Sequence, residues 1–264
     1  MNQTYKTVLI ENDNNIVTVK LNRPDLHNAM NDVMIAELTN IFLKLSNSDS
    51  VRVVVIRGEG KSFCAGADLN YMKGIAGFGF EENVQDGKKL AALFSAVYKC
   101  SLPTIAMVHG AAFGGANGLL AACDIVIAEE NTTFAFSEVK IGIAPATISP
   151  FVVKRIGEFG SKELMMTGKR FKGQEAEKWH LVNRSVPKEK MDETLQEYIK
   201  QFLSAAPEAV KVTKNMIGEV MTSNDFDETI SSMAHLIATL RASREGQEGM
   251  SAFLEKRKPK WEEK

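Results

Sequence analysis

Apolar and polar positions alternate through the opening stretch "YKTVLIENDNNIVTVKLNRP", on both sides of Asp13, Asn14 and Asn15. Two β-branched runs around an Asp/Asn turn predict a hairpin. The spacing then changes. In "NDVMIAELTNIFLKLSNSD" apolar residues recur at helical spacing, from Met34 through Leu38 and Ile41 to Leu45, with Asn31 or Asp32 as the N-cap. "VRVVVIRG" is an unbroken apolar run ended by glycine, and reads as a buried strand. "FEENVQDGKKLAALFSAVYKCS" returns to helical spacing, "TIAMVHG" to a strand, "GANGLLAAC" to a helix that opens on glycine, and "DIVIAEEN" to a third strand. Strands with helices between them predict an α/β fold, paired in parallel through right-handed crossovers.

Past about residue 200 the pattern is helical only. "PEAVKVTKNMIGEVM", "DFDETISSMAHLIATLRAS" and "EGMSAFLEKRK" carry no strand between them. The chain therefore divides into a core over residues 1–200, which holds the site, and a C-terminal helical subdomain over 201–264. The apolar face of the subdomain (Met233, Leu236, Ile237, Leu240) needs a cover, and another subunit would supply one.

Composition narrows the class. A net charge of −1 over 264 residues argues against a general nucleic-acid binder. Three cysteines, Cys64, Cys100 and Cys123, lack CxxC spacing and read as small core residues of a reducing compartment. The four histidines form no HxxxH or HxxH pair, so no metal site is expected. The N-terminal residues do not resemble a signal peptide and no apolar run reaches membrane-spanning length. The expectation is a cytoplasmic protein.

The candidate chemistry lies in glycine turns. "GKSFCAGADLNYM" and "HGAAFGGANGLL" each follow a strand and lead into a helix start. Such turns expose backbone N–H groups at the positive end of a helix, where an oxygen carrying negative charge binds well. Two turns on neighbouring strands would bring two donors to a single oxygen, as in an oxyanion hole. The rival reading, a dinucleotide site, is weak, because "GAAFGG" and "GGANG" fall short of GxGxxG.

The motifs "LHNAMN", "FCAGADL", "VHGAAFGGANGLLAACDIVIA", "FAFSEVKIGIAP" and "EGMSAFLEKRKPKW" resemble, in this order, the signatures of the crotonase superfamily, the enoyl-CoA hydratases and isomerases. The block "SEVKIGIAPATISPFVVKRIG" is most similar to the branch that hydrates 3-methylglutaconyl-CoA in leucine breakdown. The resemblance implies a ββα spiral with a C-terminal helical trimerisation subdomain, assembled as trimers or dimers of trimers. It implies an acyl-CoA thioester substrate and no separate cofactor, with no nucleic acid or membrane as partner. By matching positions, the N–H groups of Ala67 and Gly115 would form the oxyanion hole, and Glu138 would be the catalytic acid/base. Ala65, Gly66, Asp68 and Leu69 would line the path of the CoA arm, with His27 and Ala29 on its other side. Phe253 and Lys256 match positions that reach the CoA of a neighbouring subunit.

Three departures accompany the match. The first of the two glutamates typical of a hydratase would fall at position 118, which is Gly118. The usual Gly-rich loop after the second acid is replaced by "ATISPF". His180 stands where a glycine is usual. One glutamate has two uses. Glu138 would serve as base and then acid in hydration, with the enolate held meanwhile. It would equally shuttle a proton from Cα to Cγ, an isomerisation that needs no water. Burial among Phe134, Phe136 and Val139 would raise its pKa. A distal substrate carboxylate would want a cation, with Lys73, Lys140 and Arg155 as candidates. A non-catalytic CoA- or RNA-binding member is the reading from another class. His109, at a strand end, reads as a structural hydrogen-bonder, and Asp68 as a helix cap.

Overall fold

The computed structural model describes residues 4–262. Positions 1–3 and 263–264, at the outer ends of the two expected units, lie outside them. β1 (Val8–Asp13) and β2 (Ile16–Leu21) pair antiparallel, from Val8 opposite Leu21 to Asp13 opposite Ile16. Their turn holds Asn14 at φ 45° and Asn15 at φ 70°. Both lie in the left-handed region, which a type I′ hairpin requires and which asparagine enters more readily than most side chains. α1 (Asp32–Leu45) follows, capped by Asn31, whose side chain accepts from the Met34 N–H. It buries the apolar stripe from Met34 to Leu45.

The remaining strands are β3 (Val53–Gly58), β4 (Thr104–Val108), β5 (Ala111–Phe113), β6 (Ile125–Glu129), β7 (Thr133–Ala135), β8 (Arg170–Lys172) and β9 (Arg184–Val186). A six-stranded sheet runs in the order β1-β2-β3-β4-β6-β9 and is parallel from β2 onward. A three-stranded sheet runs β5-β7-β8. The helices are α2 (Leu69–Ile75), α3 (Phe80–Tyr98), α4 (Gly115–Ala122), α5 (Ser149–Thr167), α6 (Gly173–Lys178), α7 (Met191–Ser204), α8 (Pro207–Thr222), α9 (Phe226–Ala242) and α10 (Arg244–Leu254).

The unbroken apolar strands follow from a large sheet covered on both faces. Val54, Ile56, Ala106, Val108, Val126 and Ala128 point into the main core with α1, α3 and α4. Val53, Val55, Ile105, Met107 and Ile127 point the other way, against Met191, Leu195 and Ile199 of α7. The expected boundary at residue 200 therefore falls inside α7, which packs on the sheet.

The chain climbs in coils, each a strand of the large sheet, a short strand of the small one, and a helix. β4-β5-α4 and β6-β7-α5 are complete coils. In the coil that starts with β3, a single residue takes the place of the short strand. Cys64 bridges Ala112 in parallel, its N–H donating to Ala111 O at 3.0 Å and its carbonyl accepting from the Phe113 N–H at 3.2 Å. The glycine turns are thereby stacked on one another.

α8 and α9 bury no residue, and α10 buries only Ala252. Met233, Leu236 and Leu240 of α9 are half-buried and Ile237 is exposed. α8 is tied to the core by Lys214, which pairs with Asp124 at 2.7 Å. The three cysteines are buried and unpaired. Among the described residues no helix is long and apolar enough to cross a membrane, and no group of three or more His, Cys, Asp or Glu is placed to hold a metal ion.

Candidate active site

The first turn leaves β3 through Cys64. Gly66, at φ 99°, lies so close to Phe113 that a β-carbon on it would sit 3.1 Å from the Phe113 carbonyl oxygen. Only glycine meets both conditions. The Met30 N–H donates to Gly66 O at 2.7 Å, and the Asp68 N–H donates to Met30 O at 2.8 Å. This parallel bridge uses the groups flanking Ala67 and directs the N–H of Ala67 itself away from Met30. Ala67 itself is exposed.

Asp68 fastens the turn. Its Oδ1 accepts from the N–H groups of Asn70 (2.8 Å) and Tyr71 (3.0 Å), capping α2, while Oδ2 takes Arg23 Nη2 at 2.8 Å. The Tyr71 N–H first, and then the Arg23 guanidinium, hold this carboxyl below its usual range against the cost of burial. Arg23 also donates to Ala29 O. On the other side Ala65 N–H donates to His27 O at 2.9 Å, and His27 Nδ1 lies 3.1 Å from Ser62 Oγ. His27, Ala29, Ala65, Gly66, Ala67 and Asp68 thus form one wall, from which Leu69 projects 74% exposed.

The second turn follows β5. Gly114 adopts φ 53° and ψ −122°, a conformation essentially closed to other residues, and its N–H donates to Ala135 O at 3.0 Å. Asn117 Nδ2 donates to the same carbonyl at 2.8 Å. Gly115 is the first residue of α4, so its N–H is one of the donors left without an intrahelical acceptor. Met30 joins the two turns: its main chain brackets Ala67, and its Cε lies 2.9 Å from where a Gly115 β-carbon would be.

Glu138 arrives from the other direction, on a short 3₁₀ helix (Ser137–Ile141) directly after β7. Its Oε1 lies 3.4 Å from the position of a Gly114 β-carbon. Its Oε2 is buried and has no hydrogen-bond partner. Desolvation raises its pKa, offset in part by its own backbone N–H. A half-buried carboxylate with one oxygen unpartnered among the described residues, set against the turn that leads into Gly115, is equipped to move protons near an enolate oxygen.

The structure also explains Gly118. A β-carbon there would lie 2.3 Å from Ile148 Cγ2 and 3.0 Å from Phe94 Cζ. An acid at this position has no room, because Ile148 of the "ATISPF" segment already fills the space. Ile148, Phe94, Met30 and Asn117 were not singled out by sequence. The signal was the loop departure itself, which falls opposite the missing glutamate.

Other candidates lie apart. Phe253, 82% exposed near the end of α10, and Lys256, at φ 55° just past it, make no hydrogen bond to the wall among the described residues. Arg155 is not available to a substrate carboxylate: it donates to Leu181 O, Cys123 O and Asn183 Oδ1, each at 2.7 Å. Lys73 and Lys140 are exposed. His109 Nε2 lies 2.9 Å from Gly60 O, a structural contact, and His180 takes φ 61° just past α6.

Comparison with known proteins gives the family and the fold. The sequence profile described as enoyl-CoA hydratase/isomerase matches residues 11–264. A short-chain-enoyl-CoA hydratase of Clostridium acetobutylicum is 32% identical, covering 95% of each chain. A mevalonyl-coenzyme A hydratase of Aspergillus fumigatus is 34% identical over 93% of this chain and 91% of its own. The crystal structure of an enoyl-CoA hydratase from Shewanella pealeana superposes with a TM-score of 0.94 at 35% identity, covering 98% of this chain and 97% of that one. With its coiled ββα core and stacked glycine turns, this chain belongs to the enoyl-CoA hydratase/isomerase family and has the crotonase fold.

Proposed function

We propose that the protein is an enoyl-CoA hydratase that adds water across the 2,3 double bond of a short, branched or carboxylated 2-enoyl-CoA. The observation that carries this is the Glu138 carboxylate, desolvated and with Oε2 unpartnered among the described residues, against the turn that leads into Gly115. The thioester oxygen takes the N–H groups of Ala67 and Gly115, which hold it as charge develops. Glu138 deprotonates the water that attacks Cβ and returns the proton to Cα. The substrate brings coenzyme A with it.

Relatives named for short-chain enoyl-CoA, crotonyl-CoA and mevalonyl-CoA support a small acyl group. 3-Methylglutaconyl-CoA fits the same class. Its distal carboxylate would orient the water that no second glutamate holds, with Lys73 or Lys140 as the cation. The CoA arm would run along the wall of His27, Ala29, Ala65, Gly66, Asp68 and Leu69. Phe253 and Lys256 would reach the CoA of a neighbouring subunit, in a trimer or hexamer that covers the exposed Ile217, Met221, Phe226 and Ile230.

Ile148 in the seat above Gly118 favours a second reading, Δ3,Δ2-enoyl-CoA isomerisation by Glu138, which needs no bound water. One experiment separates the two. Crotonyl-CoA and 3-methylglutaconyl-CoA are followed for loss of conjugation, and 3-hexenoyl-CoA for its appearance. Hydration of either conjugated ester supports the first reading. Isomerisation without hydration establishes the second, and no turnover of any ester, with Glu138→Gln leaving CoA binding intact, points to a non-catalytic member.

A further inference from the structure

α4 and its N-cap present Gly114, Gly115 and Gly118 on one face, since helical positions three and four apart lie one above the other. The Glu138 carboxylate covers one end of this face, at Gly114. Ile148 covers the other. Its Cγ2 lies 2.3 Å and its Cβ 2.9 Å from the position of a Gly118 β-carbon. Phe94 spans the distance between: its Cζ is 3.8 Å from the Gly115 position and 3.0 Å from the Gly118 position.

Neither side chain has room to swing away. Ile148 and Phe94 are fully buried, and Phe151 of α5 holds the Phe94 ring edge-on at 5.9 Å. The preceding Thr147 leans on α3, its Cγ2 3.7 Å from a Gly87 β-carbon position. Ile148 is the N-cap residue of α5, so its place is fixed by where that helix begins. A β-branched side chain is also stiff about χ1, which makes the wall rigid.

In the reaction proposed above, a thioester whose oxygen meets the N–H groups of Ala67 and Gly115 would lay its acyl carbons along this face, between the carboxylate and the apolar end. Building on the function proposed above, we infer that Ile148 is a specificity-determining residue. From the start of α5 it supplies the side chain that α4 lacks at Gly118, and so closes the acyl pocket opposite Glu138 to long chains. Interiors are packed tightly enough for a wall of this kind to be felt at the level of a single methylene.

The test is calorimetric titration of the full-length protein with free coenzyme A, butyryl-CoA and octanoyl-CoA. Ile148→Ala is expected to shift the octanoyl-to-butyryl affinity ratio toward octanoyl by on the order of tenfold. Ile148→Val, which keeps the fold secure, shifts it the same way by less, and neither variant alters the Kd of free coenzyme A. An unchanged ratio in variants that still bind butyryl-CoA overturns the role of Ile148. Failure of the wild-type protein to bind either thioester overturns the functional proposal instead, and is recognised without any variant.

Discussion

The carboxylate of Glu138 rests against Gly114, with Oε1 3.4 Å and Cδ 3.7 Å from the point where a β-carbon on that glycine would stand. Gly114→Ala therefore meets two obstacles, a backbone of φ 53° and ψ −122° and the carboxylate itself. The expected outcome is a stability loss of about 1–3 kcal/mol, read by urea denaturation, together with a fall in kcat as the turn moves the Gly115 N–H.

Replacing Glu138 with glutamine removes the titratable group whose carboxylate rests against the turn that leads into Gly115. Turnover should drop by about 10²–10⁴-fold with little change in acyl-CoA affinity. In the wild type, kcat/KM should rise with pH along a limb above the ordinary glutamate range, because burial raises this pKa.

The same raised pKa has a consequence for folding. The folded protein holds the Glu138 proton more tightly than the unfolded chain does, so stability falls as pH climbs from the unfolded value to the folded one. Glu138→Gln should thus melt at or above the wild-type temperature at neutral pH. The difference should vanish at pH values below the unfolded carboxyl pKa, as thermal scans across pH will show.

Asp68 titrates with the opposite sign. Its depressed pKa gives stability that is present above the unfolded value and is lost as pH falls through the folded one. Asp68→Ala loses the α2 cap and leaves Arg23 without its carboxylate partner in a mostly buried site, where breaking such a pair costs about 3 kcal/mol. Acid-unfolding curves of the variant should lack the steep low-pH segment of the wild type.

Gly118→Ala should be destabilising by about 1–3 kcal/mol, the usual cost of overpacking a close-packed interior. Ile148→Ala removes the atom in closest conflict, so the double variant should recover part of the loss. Two penalties that simply add would show that the side chains at 118 and 148 do not compete for one space.

The turns and strands were legible because their physics is local. Asn14 and Asn15 announce a hairpin by tolerating positive φ, and "VRVVVIRG" announces a strand covered on both faces. Asn31 followed from its place before an apolar stripe, whereas Glu138, Ala67 and Gly115 were candidates only through the family resemblance. What covers the second face was not legible. α7 has ordinary amphipathic spacing, and nothing in it states that Leu195 and Ile199 meet Val53 and Ile105 rather than other helices. The bridge of Cys64 to Ala112 is a single residue with no period to detect. Ile148 likewise stands 30 positions from Gly118 and owes its role to a contact that only folding creates.

The turns carrying Ala67 and Gly115 belong to the coils that start with β3 and β4, which lie side by side in the large sheet, so the gap between them is inherited from the pitch of the coil. Neighbouring strands keep about 4.8 Å of separation whatever their side chains. For the proposed reaction, the spacing of the two donors is thus set by the sheet rather than by the side chains that flank them.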